Sequence, residues 1–549
     1  MSLRIHKDGN YLDLNPKTVL QLEIKSPFYF GERSSDSLPG IKTYKIKVPA
    51  TSKNRLLLDR PEALDNPNNV TMSSGWYIQF GTNIILEGIA KVTQSTDEQD
   101  YDLQLITGIA GAMNVLKSKY LTELDFASIT PSGDILTHAN DNNSTNLSTA
   151  AEYYPTILLS EENHIKWFNF HNGTAYSNTT TDEDSDTVPM FRLNYTLQKI
   201  FETIGYSVIG EVITDVELGK LIVFSNRVLD DPTEIKPAEH LPKIKANKFI
   251  SNISNLFCAG PILDHSEKSC QIIHAKNLKN RPIVNWDNKI EKIGQTKSLK
   301  NIADGIELSE IDSLSKTEWT SPPEFAYLEE HDDLSTLDYF PSVPSTAAQG
   351  FYFIKSFNTI YRKSHIVAGI EVVFKPKHQE IATLSDKNAK TPFKINVGTL
   401  FMNPQPTTHT NDIGDWIYTP QYKEEIVSLE TEGKTIEKIG LLYFRGLEGT
   451  GNRPLATNGK YSADESIVGT NELLIEDIYN TYWKDWLATL ANSKTISYKV
   501  HLNSTDLEQL DLSKRYKIGK HYLIIKKVQL SISMTSILPA TIEFLILKS

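Results

Sequence analysis

Apolar and polar residues alternate with period two along much of this chain, and a smaller number of segments repeat at helical spacing. In TVLQLEIKSPFYF, Val19, Leu20, Leu22 and Ile24 run up to Pro27, and in TYKIKVPA, Tyr44, Ile46 and Val48 alternate with Lys45 and Lys47. Both patterns predict strands with one apolar face. WYIQFGTNIILEGIAKVTQS predicts a hairpin turning at Gly81-Thr82-Asn83, with Gly88 marking a bulge or bend. In GAMNVLKSKYLTEL, Met113, Leu116, Tyr120 and Leu124 share a stripe, so one short helix is expected to close this region.

Helical periodicity is clearest further on. Leu193, Leu197, Ile200, Phe201 and Ile204 fall on one stripe, with Gly205 placed to end the helix. Phe249, Ile253, Leu256 and Phe257 form a second stripe, for which Asn247 is the expected N-cap and Gly260 the stop. PILDHSEKSCQIIHA then reads as a hairpin, two short apolar runs around a polar turn. Between these regions, residues 127–189 are rich in Asn, Ser, Thr and Asp and read as a long, partly ordered excursion without its own core. Residues 301–345 are acidic, bear prolines and read as linker.

From Gln349 strand patterns return, in GFYFIKSF, HIVAGIEVVFK and KIGLLYFRG. One helix interrupts them, with Ile478, Tyr482, Trp486 and Leu490 in i, i+4 steps. After it comes RYKIGKHYLIIKKVQLSISM, Arg515 to Met534, with six basic residues and two tyrosines. Basic residues interleaved with aromatics raise the question of a nucleic-acid surface. The pattern answers it: Val528, Leu530, Ile532 and Met534 alternate with Lys527, Gln529, Ser531 and Ser533, while Tyr516 and Ile518 oppose Arg515 and Lys517 across a turn at Gly519-Lys520. The cations fall on the wet face of a hairpin, with Tyr516 and Tyr522 expected to point inward. No repeat of fixed period is present.

Length and composition change the picture only modestly. At 549 residues the chain exceeds one hydrophobic core, so two to four domains are expected. A net charge of −12 and a pI near 5.6 argue against a protein that holds nucleic acid by its phosphates. No apolar run approaches a membrane span, and MSLRIHKDGNYLDLNP carries no signal-like apolar region. The two cysteines, Cys258 and Cys270, are expected to be buried free thiols. The sequons at Asn172, Asn178 and Asn503 read as polar loop sequence.

Each motif tested for chemistry fails on spacing. Asp182, Asp184 and Asp186 open like a calcium loop, but Thr187 and Leu193 stand where glycine and glutamate are needed. Glu329 to Asp333 surrounds one histidine with four carboxylates and lacks a second histidine one turn on. RGLEGTGNRP has Gly446, Gly449 and Gly451 without the Gly-Lys-Ser/Thr of a phosphate loop, so it reads as a strand-ending loop. No nucleophile elbow occurs. No catalytic, cofactor-binding or metal-binding residue is expected, and no cofactor.

Four landmarks, in consistent order over most of the chain, carry a resemblance. They are YKIKVPATSKNRLLLDRPEAL; PMFRLNYTLQKIFETIGYSVIGEVITDVELGKLIVFSN; LPKIKANKFISNISNLFCAGPILD; and IYNTYWKDWLATLANSKTISYKVHLNSTDLEQLDLSKRYKIGKHYLIIKKV. Together they resemble an uncharacterised structural-protein family of Bacteroidetes phages and prophages, whose layout is similar to that of phage tail hub proteins at the baseplate. The resemblance implies a β-dominated α+β protein of several domains, with tail-tube-like barrel or sandwich domains and one small α+β domain. Its expected parts are a β-domain over 1–126, the excursion 127–189, an α+β unit over 190–300, the linker 301–345 and a β-domain over 346–549 with a helix inserted near 473–492.

It further implies a virion protein without enzymatic activity, made in the host cytoplasm. Such a protein forms a homo-oligomeric ring, a trimer by preference, bound to other tail or baseplate proteins. DNA meets it only in passage, and it has no stable membrane insertion. An acidic wall suits that passage, since it repels phosphate. Three other readings stay open: another neck or tail ring component; a carbohydrate- or receptor-binding module stacking sugars on Trp76, Trp167 and Trp416; and a tail-associated hydrolase. The residues singled out for an interface are Tyr482, Trp483 and Trp486, whose aromatic area suits packing between domains or subunits, or the filling of their own core.

Overall fold

The computed structural model describes residues 2–28, 41–43, 45–59, 70–94, 100–107, 115–144, 150–160, 165–171, 175–176, 185–264, 267–298, 397–406, 416–422, 427, 435–448, 453–457, 473 and 475–547. It also describes short strand pieces at 308–310, 329–331, 351–354, 359–366, 369–373 and 393–395. The protein is β-dominated and multi-domain, as expected, with a minority of helices. The rest of the stretch 301–345, read from the sequence as linker, lies outside the described residues, as do Asp182 and Asp184.

The period-two segments at the two ends of the chain meet in a single sheet of fourteen strands. Val19–Lys25 runs antiparallel to His521–Ser533, from Val19 opposite Ser533 to Lys25 opposite Lys527. Lys494–Val500 and Ala540–Leu547 continue that side, and the hairpin Val70–Phe80/Asn83–Gln94 with Asp100–Thr107 continues the other. The N-terminal and C-terminal β-regions, expected as separate, therefore share one sheet and one apolar face. On that face lie Leu20, Leu22, Ile24, Trp76, Leu103, Val528, Leu530, Ile532 and Ile542, with Trp286 tilted against Tyr516 at 4.2 Å.

Local details of this sheet follow from its bulges. The hairpin turns at Gly81 (φ +66), with Phe80 opposite Asn83, as the pattern predicted. The bulge sits on the partner strand of Gly88: Ser74 and Gly75 together oppose Ile89, and Gly75 adopts φ +79. The expected helix through Tyr120 does not run to Leu124. Among the described residues there, Val115 and Leu116 are helical before a turn, Tyr120 bridges Lys245, and Leu121–Glu123 forms a separate 3-10 turn. The Leu121 N–H donates to the Ile244 carbonyl at 2.9 Å, so a long-range backbone bond overrides the local stripe.

A second core gathers the helical stripes. Leu193–Glu202 buries Leu193, Leu197, Ile200 and Phe201, and Gly205 (φ +78) ends the turn after it, as predicted. The second helix, Ala246–Leu256, differs from expectation at both ends. Its N-cap is Lys245, and Asn247 is buried inside the first turn. The Ala246 N–H is met by the Lys119 carbonyl at 3.0 Å, which satisfies one of the N–H groups exposed at this helix start. At its C-terminus the left-handed residue is Cys258 (φ +46), not Gly260. Gly260 lies in the strand Ala259–Asp264, where an added Cβ would stand 2.5 Å from the Phe28 ring.

That strand and Ser269–His274 form the predicted hairpin. Cys270 opposes Leu263, whereas Cys258 precedes Ala259, which opposes His274. The two cysteines are thus several strand positions apart, on the order of 15 Å at ~3.3 Å per residue, too far for a disulfide between them, and both are buried. Burial pushes the Cys270 thiol well up from its ordinary range.

The third core overturns the reading of 127–189 as a coreless excursion. Tyr153, Ile157, Leu159, Phe168 and Val188 from this stretch pack with Ile222, Phe224, Leu400, Tyr422, Leu442 and Phe444. Their partners come from far along the chain: Ile157–Ser160 pairs in parallel with Trp416–Tyr422. Asn, Ser and Thr are abundant in the composition there, yet Tyr153, Tyr154, Trp167, Phe168 and Tyr176 are buried along with Ile157, Leu158, Leu159 and Val188.

A four-stranded sheet separates the second and third cores, with Leu221–Val223 and Arg453–Thr457 antiparallel to Ile439–Glu448 and Val397–Gly398 parallel to it. Leu221, Val223, Ile439, Leu441 and Tyr443 face the second core, and Ile222, Leu442 and Phe444 face the third. Continuous apolar runs such as LLYF are what burial on both faces requires.

Candidate functional site

The basic stretch that opened the question of nucleic acid is sheet architecture. Arg515–Ile518 pairs with His521–Ser533, and Val528, Leu530 and Ile532 are buried. Three of the cations are tied down: Lys527 Nζ lies 2.8 Å from Glu23 Oε2, Lys526 lies 3.8 Å from Glu543, and Arg515 Nε donates to the Arg281 carbonyl at 2.7 Å. Tyr516 points inward as expected. Tyr522 does not; it is 36% exposed, with the Arg515 guanidinium 5.6 Å above its ring. An irregularity in pairing, with Lys526 as the extra residue between Ile525 and Lys527, shifts the alternation there.

Tyr482, Trp483 and Trp486 all lie inside this chain's own second core. A π-helical turn, Tyr479–Trp483, between Ile475–Ile478 and Lys484–Asn492 inserts a residue into the helix. It brings Trp483, which lies off the Ile478–Tyr482–Trp486 stripe, inward as well. The Trp483 indole N–H donates to the Leu256 carbonyl at 3.3 Å, at the end of the second helix. The His274 ring stacks on Tyr482 at 5.1 Å and 25°, and Phe257 meets the same ring edge-on at 5.2 Å. The three aromatics thus clamp the C-terminal helix onto the small α+β unit, an interface between segments of one chain.

Sugar stacking on the proposed tryptophans is not supported by their placement. Trp76 is 1% exposed and donates to Ser73 Oγ at 2.8 Å, and Trp167 is buried 5.8 Å from the Phe170 ring. Trp416 begins a strand whose side chains there lie outside the described residues. Of the glycine-rich segment, residues 445–448 end one strand and 453–454 begin its antiparallel partner, with Gly446 (φ +86) next to a bulge at Arg445, while Gly449 and Gly451 lie outside the described residues. Arg445 is fully buried; its guanidinium is 2.9 Å from Glu217 and lies 4.6 Å over the Tyr443 ring. Burial alone would raise the Glu217 carboxyl, but hydrogen bonds from Lys220 and Arg445 outweigh it and hold it below the usual range.

The fold also assembles a polar relay that motif spacing could not reveal. Asp134 accepts from Thr137 N at 2.9 Å and Thr137 Oγ1 at 3.0 Å, capping the helix Ile135–Ser144 and lowering its own carboxyl below the ordinary range. His138 and Asn142, one turn apart, share the face that meets Glu152, held in place by the pairing of Phe191 with Glu152. His138 Nε2 is 2.9 Å from Glu152 Oε1, and Asn142 Nδ2 donates to the same oxygen at 3.0 Å. On the other side of the ring, the Ser132 N–H donates to Nδ1 at 3.1 Å and Ser132 Oγ lies 3.2 Å away. A backbone N–H can only donate, so Nδ1 accepts and Nε2 carries the proton given to Glu152. His138 and Glu152 are buried, whereas Ser132 is exposed. Nothing in the spacing of a Ser, a His six residues on and a Glu fourteen residues beyond that signals the contact.

No group of three or more His, Cys, Asp or Glu able to hold a metal occurs among the described residues. No helix among them is long and apolar enough to cross a membrane. No family model matches the chain, and no curated protein matches it. Among solved structures the chain is similar to the 43 kDa tail protein of prophage MuSo2 from Shewanella oneidensis, at TM-score 0.35 and 7% identity, over 100% of this chain and 98% of that one. It is also similar to a tail protein from Neisseria meningitidis MC58, at TM-score 0.30 and 8% identity, over 100% and 96%.

Proposed function

We propose that the chain is a structural component of a phage tail, a hub-like subunit that forms a homo-oligomeric ring, a trimer by preference, at the end of the tail tube. The observation that carries this reading is the ordered set of four landmarks. Their apolar positions turn out to be core positions: Ile46 and Val48 in the first, Leu193 and Phe201 in the second, Phe249 and Ile253 in the third, and Trp483, Leu523 and Ile525 in the fourth. A family defined by packing positions is one defined by its scaffold. Two further features support it. The large sheet braids both ends of the chain into one wall, and the net charge of −12 suits a surface along which DNA slides without binding.

In this reading the subunit contacts other tail or baseplate proteins and belongs to the virion. Native mass measurement of the purified protein, followed by electron microscopy, tests it. A closed ring, of three copies by preference, with a central channel is expected. A monomer at micromolar concentration that also forms no ring with tail components would end the reading.

A further inference from the structure

We propose that Ser132 is an activated serine nucleophile, its hydroxyl coupled through His138 to the buried carboxylate of Glu152, and that it accepts acyl groups from small uncharged esters. The geometry has the three parts such chemistry needs: a nucleophile beside a base, a base beside an acidic orienter, and a fixed tautomer. Ser132 Oγ is 3.2 Å from His138 Nδ1, and His138 Nε2 is 2.9 Å from Glu152 Oε1. Asn142 Nδ2 donates to the same carboxylate oxygen at 3.0 Å and fixes it in place. The Tyr154 ring stands edge-on to the imidazole at 6.3 Å and 84°, which holds the ring plane.

Gly133 (φ +84) turns the chain between Ser132 and the helix, so the hydroxyl is exposed while its partners are buried. Compared with the Ser–His–acid arrangement of hydrolases, the two ring nitrogens exchange roles here, which leaves the direction of proton flow the same.

The step balances without any further reactant. Ser132 Oγ attacks the ester carbonyl carbon while His138 Nδ1 takes the hydroxyl proton and Glu152 stabilises the imidazolium through Nε2. The C–O bond to the leaving alkoxide breaks, and that alkoxide takes the proton back from Nδ1. Water then repeats the sequence on the acyl-serine, releasing the acid and restoring Ser132. Two features of the site set its character. The Ser132 N–H shares the Nδ1 lone pair at 3.1 Å, so activation is partial and turnover slow. The Asp134 carboxylate, held ionised by Thr137, stands at the same helix end and disfavours anionic substrates.

The test uses the full-length protein, a fluorophosphonate probe and p-nitrophenyl acetate. Peptide mass spectrometry is expected to find the phosphonyl group on Ser132, and Ser132→Ala to lower ester hydrolysis at least ~10-fold with unchanged thermal unfolding, since Ser132 is exposed. Glu152→Gln keeps a hydrogen-bond acceptor for Nε2 and removes only the charge. It is expected to slow Ser132 labelling at least ~10-fold in protein that remains folded, and Glu152→Asp to recover part of the rate. A purely architectural Glu152 would leave the labelling rate of Glu152→Gln unaltered. Absence of label on Ser132, hydrolysis undiminished in Ser132→Ala, or labelling indifferent to the Glu152 charge would each overturn the proposal. None of these outcomes bears on ring formation, which is read by mass.

Discussion

The fourteen-stranded sheet and the four-stranded wall are built from similar residues and obey different rules. Over much of its area the large sheet buries one face, so Val528, Leu530 and Ile532 are inside while Gln529 between them is exposed. The wall is buried on both faces, and Leu441, Leu442, Tyr443, Phe444 and Arg445 are consecutive buried positions. Alternation is thus a property of a wet face, not of a strand. Two-sided burial carries a requirement: a charged residue at such a position must be paired. Arg445 meets it through Glu217, whereas Lys527 on the large sheet needs Glu23 only at a partly wetted surface. The boundary between the regimes is visible at Ile524 and Leu545, which leave the large sheet from its other face and enter the second core.

Truncation should separate the two sheets most strongly. Phe444→Ala, which empties a site stacked on Tyr153 at 4.2 Å, is expected to cost about 3–5 kcal/mol in urea unfolding. A loss below ~1 kcal/mol would show that the wall is not packed on its third-core side.

Acid comes next, through His240, a buried ring beside the second core whose Nδ1–H donates to the Arg227 carbonyl at 3.1 Å. Burial pulls its pKa down from 6.5 to about 4. The unfolded chain therefore binds the proton first as pH falls. The contribution is fully present above pH 6.5 and is lost as pH drops toward 4, about 3 kcal/mol in all. Unfolding midpoints at pH 7 and pH 4.5 measure it, and His240→Gln should flatten the difference.

Glu217→Gln, which removes a counter-charge 2.9 Å from the buried guanidinium of Arg445, should cost on the order of 2–3 kcal/mol, since Glu217 itself is partly solvated. Replacement of Arg445 and Glu217 together by apolar residues should recover most of that loss in the same urea titration. Gly260→Ala is expected to destabilise by about 1–3 kcal/mol, because its Cβ would meet the Phe28 ring at 2.5 Å, with partial rescue by Phe28→Leu in the double variant. At the small end, Gln529→Ala on the wet face should change stability by less than ~0.5 kcal/mol, and a larger loss would mean that this face is covered.

The sequence by itself determined those strands and helices whose apolar period of 2 or 3.6 is unbroken, and which side of each is apolar. Leu193 to Phe201 and Val528 to Ile532 read correctly for that reason. It also foretold that Cys258 and Cys270 are buried thiols. Tertiary structure decided everything that joins residues distant in sequence. It merged the two ends of the chain into one sheet, turned the polar stretch 150–190 into part of a core, capped the helix at Ala246 with Lys119, and brought Ser132, His138 and Glu152 together. Composition averages over a segment and so hid Tyr153 and Phe168 among asparagines. Register and chain reversal carry no local signature, because the energy that selects them comes from burial and backbone pairing between partners hundreds of residues apart.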